Sequence, residues 1–204
     1  MLQNTINRNL FEQITTVTRA QREEYNNNRA FTLWFTGLSS SGKSTIAAGL
    51  EVRLFEAGYR TYVLDGDSTR LGINSDLSFS KNDRTENIRR VAQISKLFND
   101  AGIIIIASFI SPFANDRQSA RTIIGEDSFI EVFIDSSLEV CKMRDPKGLY
   151  KKALAGEIKD FTGIDSPYEA PVSPDIHLHT DTTTPDECVK TIIDWLNANN
   201  SYQL

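Results

Sequence analysis

The sequence is poor in cysteine and has no long apolar run. Its 204 residues include only two cysteines, Cys141 and Cys188, and neither forms a CxxC or a His/Cys spacing suited to zinc. Each lies in a segment with helical spacing of apolar residues, so we expect two buried, reduced thiols. No apolar run approaches the ~18 residues that a membrane span needs, and the N-terminus lacks a secretory signal pattern. These absences predict a cytoplasmic protein that binds no membrane.

An excess of basic residues is also missing. The chain has 22 Lys+Arg against 27 Asp+Glu, a formal net charge of −5, which gives no electrostatic reason to bind nucleic acid. With 40% hydrophobic and 24% charged residues, the composition is that of one globular domain. An anionic ligand would therefore have to be held by a local cluster of cations.

Short apolar runs alternate with longer segments of helical spacing. The predicted strands are 31–35, 61–65, 103–109 and 129–135, with a weaker candidate at 176–180. Helical patterns cover 43–58, 83–102 and 137–145, and a last helix follows the N-cap residue Thr184. This alternation predicts a three-layer α/β fold, a parallel sheet with helices on both faces, and the fully apolar "IIIIA" predicts a central strand.

Two regions lie outside the alternation. Residues 1–30 are polar and carry no motif, so we expect an N-terminal extension before a single domain over 31–204. Residues 145–174 contain one short helical stretch and then a polar segment rich in Gly and Pro. A loop of that length in a compact domain is typical of a lid or a binding loop.

The stretch "GLSSSGKS" fits the phosphate-loop pattern GxxxxGK[ST], directly after a predicted strand and directly before a predicted helix. In this pattern the glycines let backbone N–H groups surround a phosphate, the lysine reaches the β- and γ-phosphates, and the Ser44 hydroxyl is placed to ligate Mg²⁺. The predicted ATP-binding residues are Gly37, Leu38, Ser39, Ser40, Ser41, Gly42, Lys43, Ser44 and Thr45. No NKxD segment of a GTPase and no LSGGQ-like signature occurs, so a small phosphate-loop kinase is predicted, with ATP and Mg²⁺.

Candidate residues for the acceptor side follow the second strand. Asp65 and Asp67 flank a glycine at the edge of the sheet where parallel folds bind ligands. One carboxylate can orient an attacking hydroxyl while another holds a water of the Mg²⁺ shell, although a solvated turn is the alternative. Arg84 and Asn87 share one face of a helix and could grip an anion. Phe79 could stack on a base or anchor the core.

The segment 145–174, called the lid segment below, adds further candidate residues for binding a nucleotide. Lys147 and Phe161 are the stronger candidates for contact with a nucleotide, whereas Lys151 and Lys152 are expected to form a solvated face. Rings at Phe79 and Phe161 with cations nearby suggest an anionic nucleotide clamped between them.

These segments together resemble adenylyl-sulfate kinase over nearly the whole chain, from Asn9 to Trp195. The resemblance rests on "WFTGLSSSGKST", "LDGDSTRLGINSDLSFSKNDRTENIRR", "FISPF" and "DPKGLYKKALAGEIKDFTGIDSPYEAP". It implies a Mg²⁺-dependent kinase that uses ATP to phosphorylate the 3′-hydroxyl of adenylyl sulfate. It also implies a homodimer, formed through the N-terminal residues, and a functional link to ATP sulfurylase.

The resemblance assigns roles residue by residue. Lys43, Asp65 and Asp67 would be catalytic, and Ser44 and, through water, Asp65 would hold the metal. The residues matching the adenylyl-sulfate site are Asp67, Arg70, Phe79, Arg84, Asn87, Ile110, Ser111, Lys147 and Phe161. Ser111 also matches the serine that the family records as a phosphoserine intermediate. In-line transfer to a positioned hydroxyl, however, needs no covalent enzyme intermediate.

The chain departs from the family pattern at four positions. Ser68 stands for an asparagine, Leu71 for a histidine, and Ala114 and Leu154 for arginines. The departures at Leu71 and Ala114 keep open a kinase for another small nucleotide. The second alternative is a regulatory module that binds adenylyl sulfate or its product without turnover, as the resemblance to fungal regulatory domains implies. The intact phosphate loop and the DGD element argue against the second.

Overall fold

The computed structural model describes residues 15–199, and its sheet has five parallel strands in the order β2-β3-β1-β4-β5. The strands are β1 (Thr32–Thr36), β2 (Thr61–Asp65), β3 (Ile104–Ser108), β4 (Phe129–Asp135) and β5 (Ile176–His179). All five predicted strands are confirmed, with small shifts of their ends. The carboxyl ends of all strands meet at one edge of the sheet, because every pairing is parallel.

Eight α-helices occur in the described residues. They are α1 (Arg19–Asn26), α2 (Lys43–Glu56), α3 (Gly66–Leu71), α4 (Lys81–Asp100), α5 (Ala114–Ile124), α6 (Leu138–Arg144), α7 (Leu149–Leu154) and α8 (Pro185–Ala198). None of the helices between residues 15 and 199 is both long and apolar enough to cross a membrane. The helical patterns predicted from the sequence correspond to α2, α4, α6 and α8.

The helices cover both faces of the sheet and form two cores. Leu33 and Phe35 of β1 point to the face covered by α2 and α8, whereas Trp34 points to the face covered by α4 and α5. This alternation is the period of two expected of a strand that is buried on both sides. Cys141 and Cys188 are free and buried, as predicted.

The prediction that 103–109 forms the central strand is only partly right. β3 is an interior strand, but β1 occupies the middle of the sheet. β1 begins and ends with a threonine, so its sequence does not indicate that it is the central strand of the sheet. Both threonines are tolerated because the Thr32 hydroxyl donates to Asn99 Oδ1 at 2.9 Å and the Thr36 hydroxyl donates to the Ile110 carbonyl at 2.8 Å.

A short N-terminal helix packs on the domain. Thr18 caps α1 in a capping box with Gln21, and the helix contacts the end of α4, where Arg22 pairs with Asp100 at 2.9 Å. The Asn26 amide donates to the Gly102 carbonyl at 3.0 Å. The part of the predicted N-terminal extension before residue 15, including Asn9, lies outside the described residues.

Candidate active site

The phosphate loop lies between β1 and α2 and uses backbone conformations that favour glycine. Gly37 has a φ of 152° and Gly42 a φ of 105°. A Cβ at Gly37 would collide with the carbonyl oxygen of Ile134, whereas Gly42 has room for one and is selected by its left-handed φ. Gly42 is the N-cap of α2, so the loop delivers the positive end of that helix to the site.

A cavity of about 920 Å³ extends from the phosphate loop to the lid. Its volume is near the upper end of the range of ligand pockets. One end is lined by the loop and the start of α2, and the other by α3, α4, the segment after β3 and the lid. The cavity therefore offers room for a nucleoside triphosphate and a second substrate together.

Lys43 is buried at the phosphate-loop end of this cavity. Its Nζ donates to the carbonyl oxygens of Gly37 at 3.0 Å and Leu38 at 2.6 Å. Burial lowers the pKa of Lys43 from 10.5 to about 8, against the smaller opposing influences of Cys141 and Asp65. The ammonium group is thus placed where phosphate oxygens would favour its charged form.

Asp65 ends β2 and caps α3. Its Oδ1 accepts hydrogen bonds from the backbone N–H groups of Asp67 at 3.0 Å and Ser68 at 3.3 Å. Its Oδ2 accepts from the Ser44 hydroxyl at 3.2 Å. The hydroxyl and the carboxylate supply the hard oxygen donors that Mg²⁺ prefers, so this pair fits the ion.

Asp67 connects this acidic element to the lid. Lys147 donates to its Oδ2 in an ion pair, and this hydrogen bond raises the pKa of Lys147. Both side chains remain largely exposed, at 70% for Asp67 and 62% for Lys147. The pair is therefore a solvent-accessible contact that a bound anion could rearrange.

Two arginines surround the ring of Phe79. The guanidinium carbon of Arg70 lies 4.4 Å from the ring centroid and that of Arg84 lies 5.7 Å away. Arg70 also donates to the carbonyl oxygens of Leu77 at 3.2 Å and Ser78 at 2.9 Å. Phe79 is 57% exposed and lines the cavity, so it is not a core anchor. The two guanidinium groups make the surroundings of the ring cationic, which suits an anionic nucleotide.

Arg84 joins α4 to the lid. Its guanidinium donates to the Thr162 hydroxyl at 3.1 Å and to the Asp160 carbonyl at 2.5 Å. Asn87, three residues further along α4, is buried and accepts from the Asn74 amide at 3.0 Å. Both Arg84 and Asn87 line the cavity, which confirms that they share one face of the helix.

Phe161 belongs to a small apolar cluster that anchors the lid. Its ring meets Tyr150 edge-on, with 5.0 Å between the ring centroids. The Tyr150 hydroxyl donates to the carbonyl oxygen of Ser39 at 3.1 Å, and burial raises the pKa of this tyrosine. The lid is thereby connected directly to the phosphate loop.

Ser111 lies in the segment that follows β3. It has a positive φ of 40° and is almost fully buried. Its hydroxyl accepts from the Trp34 indole N–H at 3.2 Å, and its carbonyl accepts from Arg117 at 2.9 Å. Ile110 is fixed in the same way through the Thr36 hydroxyl. Side chains from β1 and α5 therefore hold this segment rigidly at the cavity wall.

All the predicted site residues line the cavity except Gly37 and Leu38. These two present their carbonyl oxygens to Lys43. The Leu38 side chain points away from the cavity and packs in the apolar cluster that includes Leu138 and Ile164. Only the backbone of Leu38 is therefore available to a phosphate.

Sequence reasoning missed several residues that position the site. Trp34, Arg117 and Tyr150 hold Ser111 and Ser39 through contacts between distant parts of the chain. Tyr150 lies inside the "DPKGLYKKA" segment that carries the resemblance, which was the only signal for it. Nothing in the spacing identifies the partner of a buried polar side chain.

The four departures from the family pattern lie outside the cavity lining. Ser68, Leu71, Ala114 and Leu154 are all among the described residues, and none of them lines the cavity. Leu71 is 87% exposed and Leu154 is 64% exposed. The four residues present therefore contribute no side chain to the cavity wall.

The fold and the site together define a phosphate-loop kinase. A phosphate loop follows the central strand of a parallel sheet, two carboxylates lie at the carboxyl end of β2, and Lys147 of the segment 145–174 pairs with one of them. The sequence profile of adenylylsulphate kinase matches residues 29–179. The chain belongs to the adenylylsulphate kinase family.

Curated relatives and solved structures agree with this assignment. An adenylyl-sulfate kinase of Clostridium acetobutylicum is 55% identical over 97% of this chain and 98% of its own. One of Marinobacter nauticus is 59% identical over 88% of this chain and 90% of its own. The structure of a Mycobacterium tuberculosis APS kinase in complex with AMPPNP and APS is 48% identical, with a TM-score of 0.80, over 83% of this chain and 99% of its own.

Proposed function

We propose that this chain transfers the γ-phosphate of ATP to the 3′-hydroxyl of adenylyl sulfate (APS), giving 3′-phosphoadenylyl sulfate (PAPS) and ADP. The observation that carries the proposal is one continuous cavity that joins the phosphate loop to Asp67, Arg84 and Lys147. The similar Mycobacterium tuberculosis protein was solved with an ATP analogue and APS bound. The four residues that depart from the family pattern contribute no side chain to the lining of this cavity.

The phosphate-loop end would bind ATP. The N-terminus of α2 and the loop backbone would hold the phosphates, and Lys43 would move from its carbonyl partners to the γ-phosphate oxygens. Ser44 and, through water, Asp65 would hold Mg²⁺, which when bound neutralises charge on the phosphates. Their 3.2 Å separation supports this pairing.

The acceptor end would bind adenylyl sulfate. We expect Phe79 and Phe161 to contact the adenine, while Arg70, Arg84, Asn87 and Lys147 hold the anionic part of the substrate. Since Lys147 and Arg84 also contact Asp67 and the lid, substrate binding and lid position are coupled through the same side chains.

In the transfer step, the 3′-oxygen forms a bond to the γ-phosphorus as the bond from that phosphorus to the bridging β-phosphate oxygen breaks. We assign Asp65 to orienting the 3′-hydroxyl and accepting its proton. Asp67, two residues further along the chain, also lines the cavity. We assign Ser111 to positioning, because its hydroxyl is already engaged by Trp34 and direct transfer needs no covalent intermediate.

The resemblance also supports a proposed homodimer and a functional link to ATP sulfurylase. We propose both from the resemblance alone, because contacts within a single chain do not bear on them.

Asp65→Asn tests the assignment. Asparagine retains an oxygen that can accept from the N–H groups of Asp67 and Ser68, so the cap on α3 is preserved while the base is lost. With ATP and adenylyl sulfate saturating, we expect kcat to fall by about 10²–10⁴-fold. Lys43→Ala should also lower it strongly.

The matched control is Asp76→Asn. Asp76 is another exposed aspartate in an ion pair, with Arg90 at 2.7 Å, and it does not line the cavity. This variant should turn over like the wild type. Near wild-type turnover of both Asp65→Asn and Lys43→Ala would show that these roles are wrongly assigned.

A further inference from the structure

The chain has two histidines, and both lie on one face of the edge strand β5. His177 and His179 alternate with the buried residues Ile176 and Leu178. Because successive residues of a strand point to opposite faces, both imidazoles project to the same side. Because Asp135 comes from the neighbouring strand β4, no His/Cys spacing along the chain predicts this cluster.

Strand β4 places an aspartate beside these histidines. The register pairs Asp135 with His179 and Phe133 with His177. His177 Nε2 lies 2.9 Å from Asp135 Oδ2, and His179 Nδ1 lies 3.3 Å from the same oxygen. All three potential ligand atoms lie within 4.8 Å of one another. Two neighbouring strands therefore bring three side chains together in one small volume.

Aromatic contacts orient part of this cluster. The ring of Phe133 stacks on His177 with 4.9 Å between centroids, and Tyr168 stacks on Phe133 at 6.1 Å. The Tyr168 hydroxyl lies 3.0 Å from Thr36 Oγ1. His177 is thus fixed against the sheet, while the exposed fractions of the side chains, 41% for His177 and 64% for His179, leave the cluster open to solvent.

The donor set selects a class of ion. Two imidazole nitrogens and one carboxylate oxygen suit late first-row divalent metals, whereas Mg²⁺ prefers oxygen ligands alone. Such metals need ligand distances of about 2.0–2.2 Å, which small rotations of exposed side chains can provide. Three protein ligands leave further positions for water.

We propose that Asp135, His177 and His179 form a binding site for a divalent transition-metal ion of the Zn²⁺, Co²⁺, Ni²⁺ or Cu²⁺ class. The site is separate from the Ser44 and Asp65 pair, because Asp135 lies three strands from Asp65 in the sheet, roughly 14 Å at the usual strand spacing. A bound ion would join β4 to β5 in the folded chain and would therefore stabilise it.

Titrations of the full chain, free of any histidine tag, test this proposal. Zn²⁺ should bind with one equivalent in calorimetry, and Co²⁺ should give visible absorption bands that excess Mg²⁺ does not remove. His177→Ala and His179→Ala should each weaken binding about 10-fold or more, in line with loss of a ligand. Asp186→Asn, an exposed carboxylate near the same end of the chain, should bind like the wild type.

Proton NMR of the wild-type chain gives a measurement that needs no variant to fold. Since there are only two histidines, Zn²⁺ should shift both sets of imidazole signals together. Unmoved signals would overturn the proposal and leave a hydrogen-bonded His–Asp cluster. Binding that persists undiminished in the His177→Ala/His179→Ala double variant would also overturn it and would point to other ligands such as the two thiols.

Discussion

Lys43 is a buried cation whose charge depends on pH in the free protein. Its pKa of about 8 lies below the ordinary value, so the free protein loses this proton as pH rises through 8. Bound triphosphate favours the charged form and would restore the proton. We therefore predict that MgATP binding takes up a larger fraction of a proton at pH 8.5 than at pH 7, and that affinity falls above pH 8.

Calorimetry in two buffers of different ionisation enthalpy measures this uptake. Lys43→Met is the control: it should bind MgATP more weakly at pH 7 and should show no such uptake at pH 8.5. A wild-type chain with the same small uptake at both pH values would mean that Lys43 stays charged without ligand.

Phe79 is the exposed ring that the proposal places against adenine. Phe79→Ala should raise KM for adenylyl sulfate about 5- to 150-fold, the equivalent of losing ~1–3 kcal/mol of stacking. KM for ATP should change little, because the ring lies at the acceptor end of the cavity. Steady-state kinetics with each substrate varied in turn measures both effects.

Phe55 provides a matched control for this substitution. It is a phenylalanine of α2 that is 73% exposed and does not line the cavity. Phe55→Ala should leave both KM values unchanged. Equal effects of the two substitutions on KM would contradict a specific contact at Phe79.

Individual site residues were predictable where chemistry requires a residue type at a fixed spacing. Gly42, Lys43 and Ser44 follow from the phosphate-loop pattern, and all three line the cavity, while their binding of ATP stays a prediction. The outward side chain of Leu38 was not predictable, because its partners lie in α6 and the lid. Neither was the Asp135 cluster, which depends on the register of β4 and β5.

The lid is held over the cavity by polar contacts, by an apolar cluster that includes Leu38 and Leu138, and by the stacking of Tyr168 on Phe133. Lys147 pairs with Asp67, Arg84 bonds to the Thr162 hydroxyl, and Tyr150 bonds to the phosphate loop. The Lys147–Asp67 pair is largely exposed, and such pairs are weak singly, so we expect the part of the lid near Lys147 to open transiently in the free protein. Bound substrates would favour the closed arrangement and exclude water from the γ-phosphate.

Limited proteolysis with trypsin tests this coupling. Lys151, Lys152 and Lys159 are exposed in and after α7. A non-hydrolysable ATP analogue together with adenylyl sulfate should slow cleavage there several-fold. Cleavage after the exposed Lys190 of α8 is the internal control and should not change. Equal rates at the lid sites with and without ligands would argue against ligand-dependent closure.

The helices α1 and α5 were not predicted from the sequence, and the physical reason is the same for both. α5 has polar residues, Asp116 and Arg117, on its buried side, and Arg117 pairs with Glu131 at 2.7 Å. A helix that buries an ion pair does not show the apolar periodicity on which prediction depends. α1 is short and polar and contacts the domain mainly through side chains such as Arg22 and Asn26.

The molecule as a whole has one cavity at the carboxyl edge of its sheet, lined by the phosphate loop and by the residues proposed to bind the acceptor. The alternation of strands and helices was enough to predict this layered fold, because a parallel sheet requires covered faces. The strand order was not predictable, since burial looks alike in β1 and β3. That order places the phosphate loop centrally and leaves His177 and His179 at the far edge.

The acceptor of this kinase is identified by measuring ADP release from ATP and Mg²⁺ with different acceptors. Adenylyl sulfate should be compared with AMP and other nucleoside monophosphates, and NMR should locate the phosphate on the product. We predict rapid turnover confined to adenylyl sulfate and a 3′-phosphate on the product. Turnover with another nucleotide but not with adenylyl sulfate, or binding of both nucleotides with no ADP release, would contradict the proposed function.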